Sequence, residues 1–142
     1  MKPVLPLRIA SVLTFIHAVL HTAGGVFGKT PTGTATLVVA TMKANPIHAL
    51  GVTRTYFDYY HGMGLAVSIF LTAEAIVFWQ LSTVAKSIGP GLRPIFATFF
   101  VGYLVFALDS YLYFFAAPVI TEALISACFL WALIAAKPTA AV

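Results

Sequence analysis

The chain has 142 residues, of which 61% are hydrophobic and only 8% are charged, and its formal net charge is +4. A soluble domain carries roughly a quarter of charged residues, because its surface must be solvated. Eight basic and four acidic residues are too few for that, and since they form no basic run they also exclude a nucleic-acid interface. The composition therefore predicts an integral membrane protein with a single transmembrane domain, residues 1–142.

Four segments are long and apolar enough to cross a bilayer, which takes about 20 predominantly apolar residues each. The short alternating strands of a membrane barrel are absent from the sequence, so helices must satisfy the backbone hydrogen bonds. "SIGPGLRP" is a turn-rich connector, and "FFAAPV" leaves room only for a tight hairpin. We expect an all-α fold, a four-helix membrane bundle with spans at about 7–27, 62–81, 94–115 and 118–136.

Basic residues beside the spans predict the orientation of the chain. The positive-inside rule puts the richer side in the cytoplasm, so both termini are expected to be cytoplasmic. Lys2 and Arg8 also precede an apolar stretch as in a secretory signal peptide, but His17 and His21 interrupt it, and we interpret it as a retained span. The cytoplasmic set is Lys2, Arg8, Lys86, Arg93 and Lys137, and the outer set is Lys29, Lys43 and Arg54.

The first connector, about residues 29–61, is longer than a turn between two spans requires. "TATLVVATMKA" predicts a short helix at the membrane interface, and "NPIHALG" ends it. "VTRTYFDYYHG" predicts that the second membrane helix begins near Arg54, with Thr53 as its N-cap, and enters the bilayer around Gly62. The three tyrosines of this stretch suit an interfacial aromatic belt.

Ionisable side chains gather in the outer half of the predicted spans. His17 and His21 lie one turn apart on one face of the first span, and His61 opens the second. Asp109 and Glu122 lie within about two turns of the outer ends of the third and fourth spans. Exposing such groups to lipid is costly, so we expect them to line an outward-facing polar pocket, or else to pair and hold the helices in register.

Three kinds of chemistry fit these residues. The spacing of His17 and His21 suits a metal ion, whose site Asp109 and Glu122 from facing helices can complete. A b-type haem held by His21 and His61 is a second interpretation. A pocket for a small amphiphile is the third, since an apolar, aromatic cavity with a few polar groups is the usual form of a ligand site. A histidine and a carboxylate there can also transfer protons.

The segments "LRIASVLTFIHAVLHTAGG" and "MKANPIHALGVTRTYFDYYHGMGL" resemble a family of small, uncharacterised bacterial four-span integral membrane proteins, and the resemblance covers essentially the whole chain. It implies the four-span fold and the bacterial cytoplasmic membrane, but no activity, cofactor or substrate. His17 and His61 lie outside its motifs, which weakens the metal and haem interpretations. A His-Thr-x-Gly-Gly element matches His21, Thr22, Gly24 and Gly25, and an Arg-Thr-Tyr-aromatic-Asp element matches Arg54, Thr55, Tyr56, Phe57 and Asp58.

Our leading hypothesis is a protein that binds a small amphiphile, lipid or quinone-like ligand, with acid/base activity as an option; whether it is an enzyme stays open. One alternative is a metal- or haem-binding redox protein. Another is a structural or accessory subunit of a homo-oligomer or a larger membrane complex, in which Glu74 and the Gly24-xxx-Gly28 motif make contacts. The expected pocket consists of His21, His61, Asp109 and Glu122, with Arg54, Tyr56 and Asp58 at its mouth.

Overall fold

The structure is a computed structural model that describes residues 3–29 and 32–136. Lys2 and Lys137, two of the residues used to predict the orientation, lie outside this range. The described chain is mostly helical, which confirms the all-α expectation. Its α-helices are α1 (Val4–Leu20), α2 (Thr34–Ala44), α3 (Tyr56–Ile88), α4 (Arg93–Tyr113) and α5 (Ala116–Ala135).

Three helical stretches of the described chain are long and apolar enough to cross a membrane: Val4–Val26, Tyr56–Tyr113 and Ala116–Ala135. The second has 58 residues and contains both α3 and α4. A straight helix of that length would measure about 87 Å, far more than the roughly 30 Å of a bilayer core. The 3₁₀ turn Gly89–Leu92 interrupts it, because glycine and proline are poor helix formers. The fold is thus compatible with an integral membrane protein.

By its contacts, the chain forms two compact units. The helical unit comprises residues 3–17 and 71–136, and the hairpin unit comprises residues 18–29 and 32–70. Both α1 and α3 contribute residues to each unit. The expectation of a single domain stays a prediction.

Aromatic rings form the core of the helical unit. Phe78, Phe96 and Phe129 are fully buried. The ring centroid of Phe129 lies 4.7 Å from that of Phe78 in an edge-on contact, and 5.1 Å from that of Phe99 in a stacked one. Lipid tails are as apolar as this core, so close packing rather than escape from water holds such helices together.

Helices α4 and α5 pack against each other and are joined by a connector of two residues, 114–115, which confirms the predicted tight hairpin. Two side chains bond the helices across their contact. Ser126 Oγ donates to the carbonyl of Phe100 (2.9 Å), and Arg93 Nη1 donates to the carbonyl of Leu133 (2.7 Å). Both bonds satisfy polar side chains without water, which the interior of a membrane requires.

The first connector contains an element that the sequence did not predict. Strand β1 (Pro46–Ala49) pairs antiparallel with β2 (Val52–Thr55), and Ala49 stands opposite Val52. The turn residues Leu50 and Gly51 have φ angles of 49° and 81°. Positive φ at both positions is the signature of a type I′ turn, whose twist matches that of the flanking strands. Helix α2 has the bounds that "TATLVVATMKA" predicts.

Helix α3 begins at Tyr56, two residues after the predicted start. The predicted N-cap Thr53 is wrong, because α3 begins only three residues later and the Thr53 hydroxyl lies 3.0 Å from Nδ1 of His48. The cap is Thr55. Its Oγ1 accepts the amide of Asp58 (3.1 Å), and Asp58 Oδ2 accepts the amide of Thr55 (2.7 Å). This reciprocal arrangement is a capping box with aspartate as the acidic partner.

Candidate functional site

His21 is held at the start of an unusual helical segment. Immediately after α1, the residues His21–Val26 form a π-helix. The amide of Phe27 closes it by donating to the carbonyl of Thr22 (3.0 Å), five residues back. Short π-helical segments are rare and are frequently found at functional sites. The segment contains the His-Thr-x-Gly-Gly element. The two adjacent glycines are the only feature of this element that indicates an irregular helix.

The imidazole of His21 is half-buried and hydrogen-bonded. Its Nδ1 lies 3.0 Å from Ser68 Oγ, and the Ser68 hydroxyl donates to the carbonyl of Gly64 (3.2 Å). Because the Ser68 hydroxyl donates its proton to the carbonyl of Gly64, the Ser68 oxygen accepts a hydrogen bond from Nδ1–H of His21. The other ring nitrogen of His21, Nε2, then carries no proton and keeps its lone pair. A Cβ placed on Gly25 would lie 3.7 Å from Nε2, so this edge of the ring borders the glycine backbone.

Glycine at position 64 brings the π-helical segment close to α3. A Cβ built there would lie 3.1 Å from a methyl group of Val26, tighter than most side-chain contacts. A methyl group at this position would require the Val26 side chain to shift by a few tenths of an ångström. Gly64 lies within α3 and does not need a positive φ angle. Its role here is therefore to allow close packing.

His61 lies between two phenylalanine rings. The edge-on ring of Phe27 is 5.6 Å away between centroids, and the stacked ring of Phe57 is 5.9 Å away. The ammonium of Lys43 lies 4.6 Å from the centroid of Phe57. The hairpin unit thus contains three imidazoles: His21 and His48 each lie beside a hydroxyl, and His61 packs among aromatic rings.

The residues expected at the pocket mouth bond mostly to their own neighbours. The guanidinium of Arg54 donates to the carbonyl of Thr53 (2.9 Å), and the Tyr56 side chain is exposed. Asp58 is exposed and lies before the predicted bilayer boundary. The backbone amide and the hydroxyl of Thr55 donate to its carboxylate and hold the pKa of Asp58 below its ordinary value, with a smaller contribution from the charge of Arg54.

The helical unit contains a second group of polar residues. Tyr103 donates its phenol proton to Glu74 Oε2 at 2.6 Å, and the Thr14 hydroxyl lies close to the same phenol. Glu74, which the sequence marked as a candidate for contacts between subunits, therefore has a partner within its own chain. Glu122 is only 1% exposed, whereas Asp109 is exposed.

The seven expected pocket residues divide between the two units. His21, Arg54, Tyr56, Asp58 and His61 belong to the hairpin unit, and Asp109 and Glu122 belong to the helical unit. The pocket as a whole stays a prediction.

His17 is half-buried. Among the described residues, no group of three or more histidine, cysteine, aspartate or glutamate side chains is placed to hold a metal ion. A metal at His17 and His21 would thus need ligands of another type, and that site stays a prediction, as does haem binding.

Comparisons of the chain with family models, with curated proteins and with solved structures found no match. The chemistry of the side chains described above therefore carries the functional proposal.

Proposed function

We propose that the chain is a four-span membrane protein of the bacterial cytoplasmic membrane, with both termini in the cytoplasm, and a member of the family of small membrane proteins that it resembles. The lengths of α1, α3, α4 and α5 support four spans, since each reaches or approaches the roughly 20 residues that one crossing takes. The distribution of basic residues supports the orientation.

Its function is to bind a small amphiphile, a lipid or quinone-like molecule, at the hairpin unit. The observation that carries this proposal is the setting of His21: a half-buried imidazole on a π-helical segment, anchored by Ser68 through one ring nitrogen. The other nitrogen lies beside Gly25 and offers one polar contact. A few oriented polar groups in an apolar, aromatic site are what a ligand with a polar head and an apolar tail requires.

Acid–base chemistry is compatible with the same arrangement. Histidine is the side chain whose ordinary pKa lies nearest neutrality, so a ligand oxygen at Nε2 can both accept and return a proton. The Ser68 hydroxyl keeps the ring in one orientation while this happens. A quinone-like ligand is the one for which such proton exchange is chemically useful.

Native mass spectrometry of the chain purified in mild detergent tests this proposal. A short-chain benzoquinone and a lysophospholipid serve as added probes. We expect a stoichiometric adduct with at least one of them, lost in His21→Ala and kept in His48→Ala. His48 is the matched control because it is an exposed histidine on the β-hairpin whose Nδ1 also lies 3.0 Å from a hydroxyl.

The other outcomes point to the competing interpretations. A retained haem or metal mass that disappears in His21→Ala would replace the proposal with the redox interpretation. A bare chain with either probe would refute ligand binding and favour a structural role, with His21 and Ser68 holding α3 and the π-helical segment together.

A further inference from the structure

Arg8 lies inside the first apolar stretch rather than beside it. It follows the start of α1 at Val4 by about 6 Å, within the stretch Val4–Val26. Its side chain is only partly exposed, and its Nε is buried without a hydrogen-bond partner among the described residues. Basic residues that only orient a membrane protein lie in the loops beside its spans. Orientation alone therefore does not account for a guanidinium in this position.

The ring of Trp79 holds this guanidinium beside α3. The guanidinium carbon of Arg8 lies 5.0 Å from the centroid of the Trp79 ring, which is within the range of a cation–π contact. A Cβ built on Gly89, which follows α3, would lie 3.3 Å from Pro3, which precedes α1. The start of α1 thus packs against the end of α3, and Arg8 and Trp79 lie near that end of the helical unit.

The acidic residues of the helical unit are engaged or lie far from this end. Glu74 accepts the phenol proton of Tyr103. Asp109 and Glu122 lie within about 9 Å of the connector between α4 and α5. That connector is one helix length, about 30 Å, from the turn that joins α3 to α4. We therefore look for the counter-anion of Arg8 outside the described chain.

Lys86 supplies a second positive charge on the same side of α3. It follows Trp79 by seven residues, so it lies on nearly the same face of the helix and about 10 Å closer to the helix end. Its side chain is exposed, and the long stem of a lysine lets the ammonium reach along the helix surface. An arginine fork and a lysine ammonium together are suited to the oxygens of a phosphate group.

The surface around these residues is apolar, which favours a lipid over a free phosphate ion. Trp79 is 48% exposed, and the residue one turn before it, Ile76, is exposed as well. Leu5, one turn before Arg8, is also exposed. On membrane-spanning helices such side chains face acyl chains, and tryptophan is enriched at the level of the headgroups. Basic sites between transmembrane helices are known to bind anionic headgroups.

We propose that Arg8, Lys86 and Trp79 form a binding site for the phosphate of an anionic lipid, at the end of α1 and α3 that is expected to face the cytoplasm. Arg8 donates to two phosphate oxygens, Lys86 adds a second positive charge, and the Trp79 ring keeps the guanidinium in place. The site rests on the proposed spans of α1 and α3. It does not depend on ligand binding at His21, which belongs to the other unit.

Native mass spectrometry in mild detergent tests the site with two added lipids, dioleoyl phosphatidylglycerol and dioleoyl phosphatidylcholine. The acyl chains of the two are identical, so a difference in binding reports the headgroup charge. We expect the wild-type chain to prefer the anionic lipid. Its affinity for that lipid should fall roughly tenfold in Arg8→Gln, the low end of what hydrogen bonds to a charged group contribute. Lys86→Gln should lower it by roughly fivefold or less, as for one charge near a membrane surface.

Lys43→Gln is the matched control, because the Lys43 ammonium also lies over an aromatic ring but belongs to the hairpin unit. It should keep the wild-type preference, and Arg8→Lys, which keeps the charge, should retain part of it. Lys86 is exposed, so Lys86→Gln should fold even if Arg8→Gln does not.

Three results would overturn the proposal. They are equal binding of the two lipids by the wild-type chain, an unchanged preference in both Arg8→Gln and Lys86→Gln, and displacement of the anionic lipid by millimolar inorganic phosphate, which would assign the site to a free ion. His21→Ala should keep the lipid preference while losing the adduct measured for the hairpin unit. Failure of one proposal is thereby distinguished from failure of the other.

Discussion

His21 in the hairpin unit and Glu122 in the helical unit are both ionisable residues within apolar helices, but their surroundings differ. His21 is half-buried, has a hydroxyl partner on one nitrogen and keeps a second nitrogen beside a glycine. Glu122 is buried, and neither of its oxygens has a hydrogen-bond partner of ordinary geometry among the described residues. A partly exposed, anchored side chain is accessible to a ligand, whereas a buried carboxyl is shielded from one.

The two units also differ in how much apolar side-chain packing they contain. The helical unit has an interior of interlocking aromatic rings, whereas α2 in the hairpin unit has no buried residue. Local opening of a structure is easiest where few apolar contacts hold it. We therefore expect ligand access through the hairpin unit and stability from the helical unit.

Phe129→Ala should have the largest effect on stability, because the residue is fully buried and contacts several aromatic rings. Removing such a ring costs about 3–5 kcal/mol through lost contacts and the remaining cavity. Unfolding in detergent, followed by circular dichroism, measures the change. The control is Phe115→Ala, whose ring is exposed in the connector. Equal losses for the two variants would show that the aromatic core does not stabilise the helical unit.

Gly64→Ala should be the next most damaging, at about 1–3 kcal/mol, because the new methyl group would press on Val26. Gly62→Ala is the matched control two residues away, since nothing lies within 4 Å of a Cβ there. Thermal stability in detergent distinguishes them. The double variant Gly64→Ala, Val26→Ala should regain part of the loss, and an absence of that rescue would contradict the close approach of the two segments.

Thr55→Ala should cost least, about 1 kcal/mol, through loss of the cap of α3. Thr53→Ala is its counterpart, and it should have the smaller effect because Thr53 lies on the exposed hairpin. Helicity and thermal stability of both variants check this. A larger loss for Thr53→Ala would restore the N-cap that the sequence predicted.

The helices could be predicted because their signals are local. α1 and α3–α5 follow from long apolar segments, and α2 from a short one, since backbone hydrogen bonds within a helix need no distant partner. Thr55 and Thr53 show the limit of this reasoning at helix ends, where two threonines near the boundary look alike in sequence. The turn Leu50–Gly51 lacks the asparagine or aspartate that is typical of a type I′ turn, so the hairpin was difficult to predict from the sequence.

The sequence by itself determined the class of the protein, the positions of its helices and the identity of its ionisable residues. Their partners were decided by tertiary structure: Ser68 for His21, Tyr103 for Glu74, and none of ordinary geometry in the described chain for Glu122. Those pairings join residues tens of positions apart, and they depend on the rotation and approach of whole helices. A helix can be read from the residues it contains, but the role of a buried charge depends on the residues that face it.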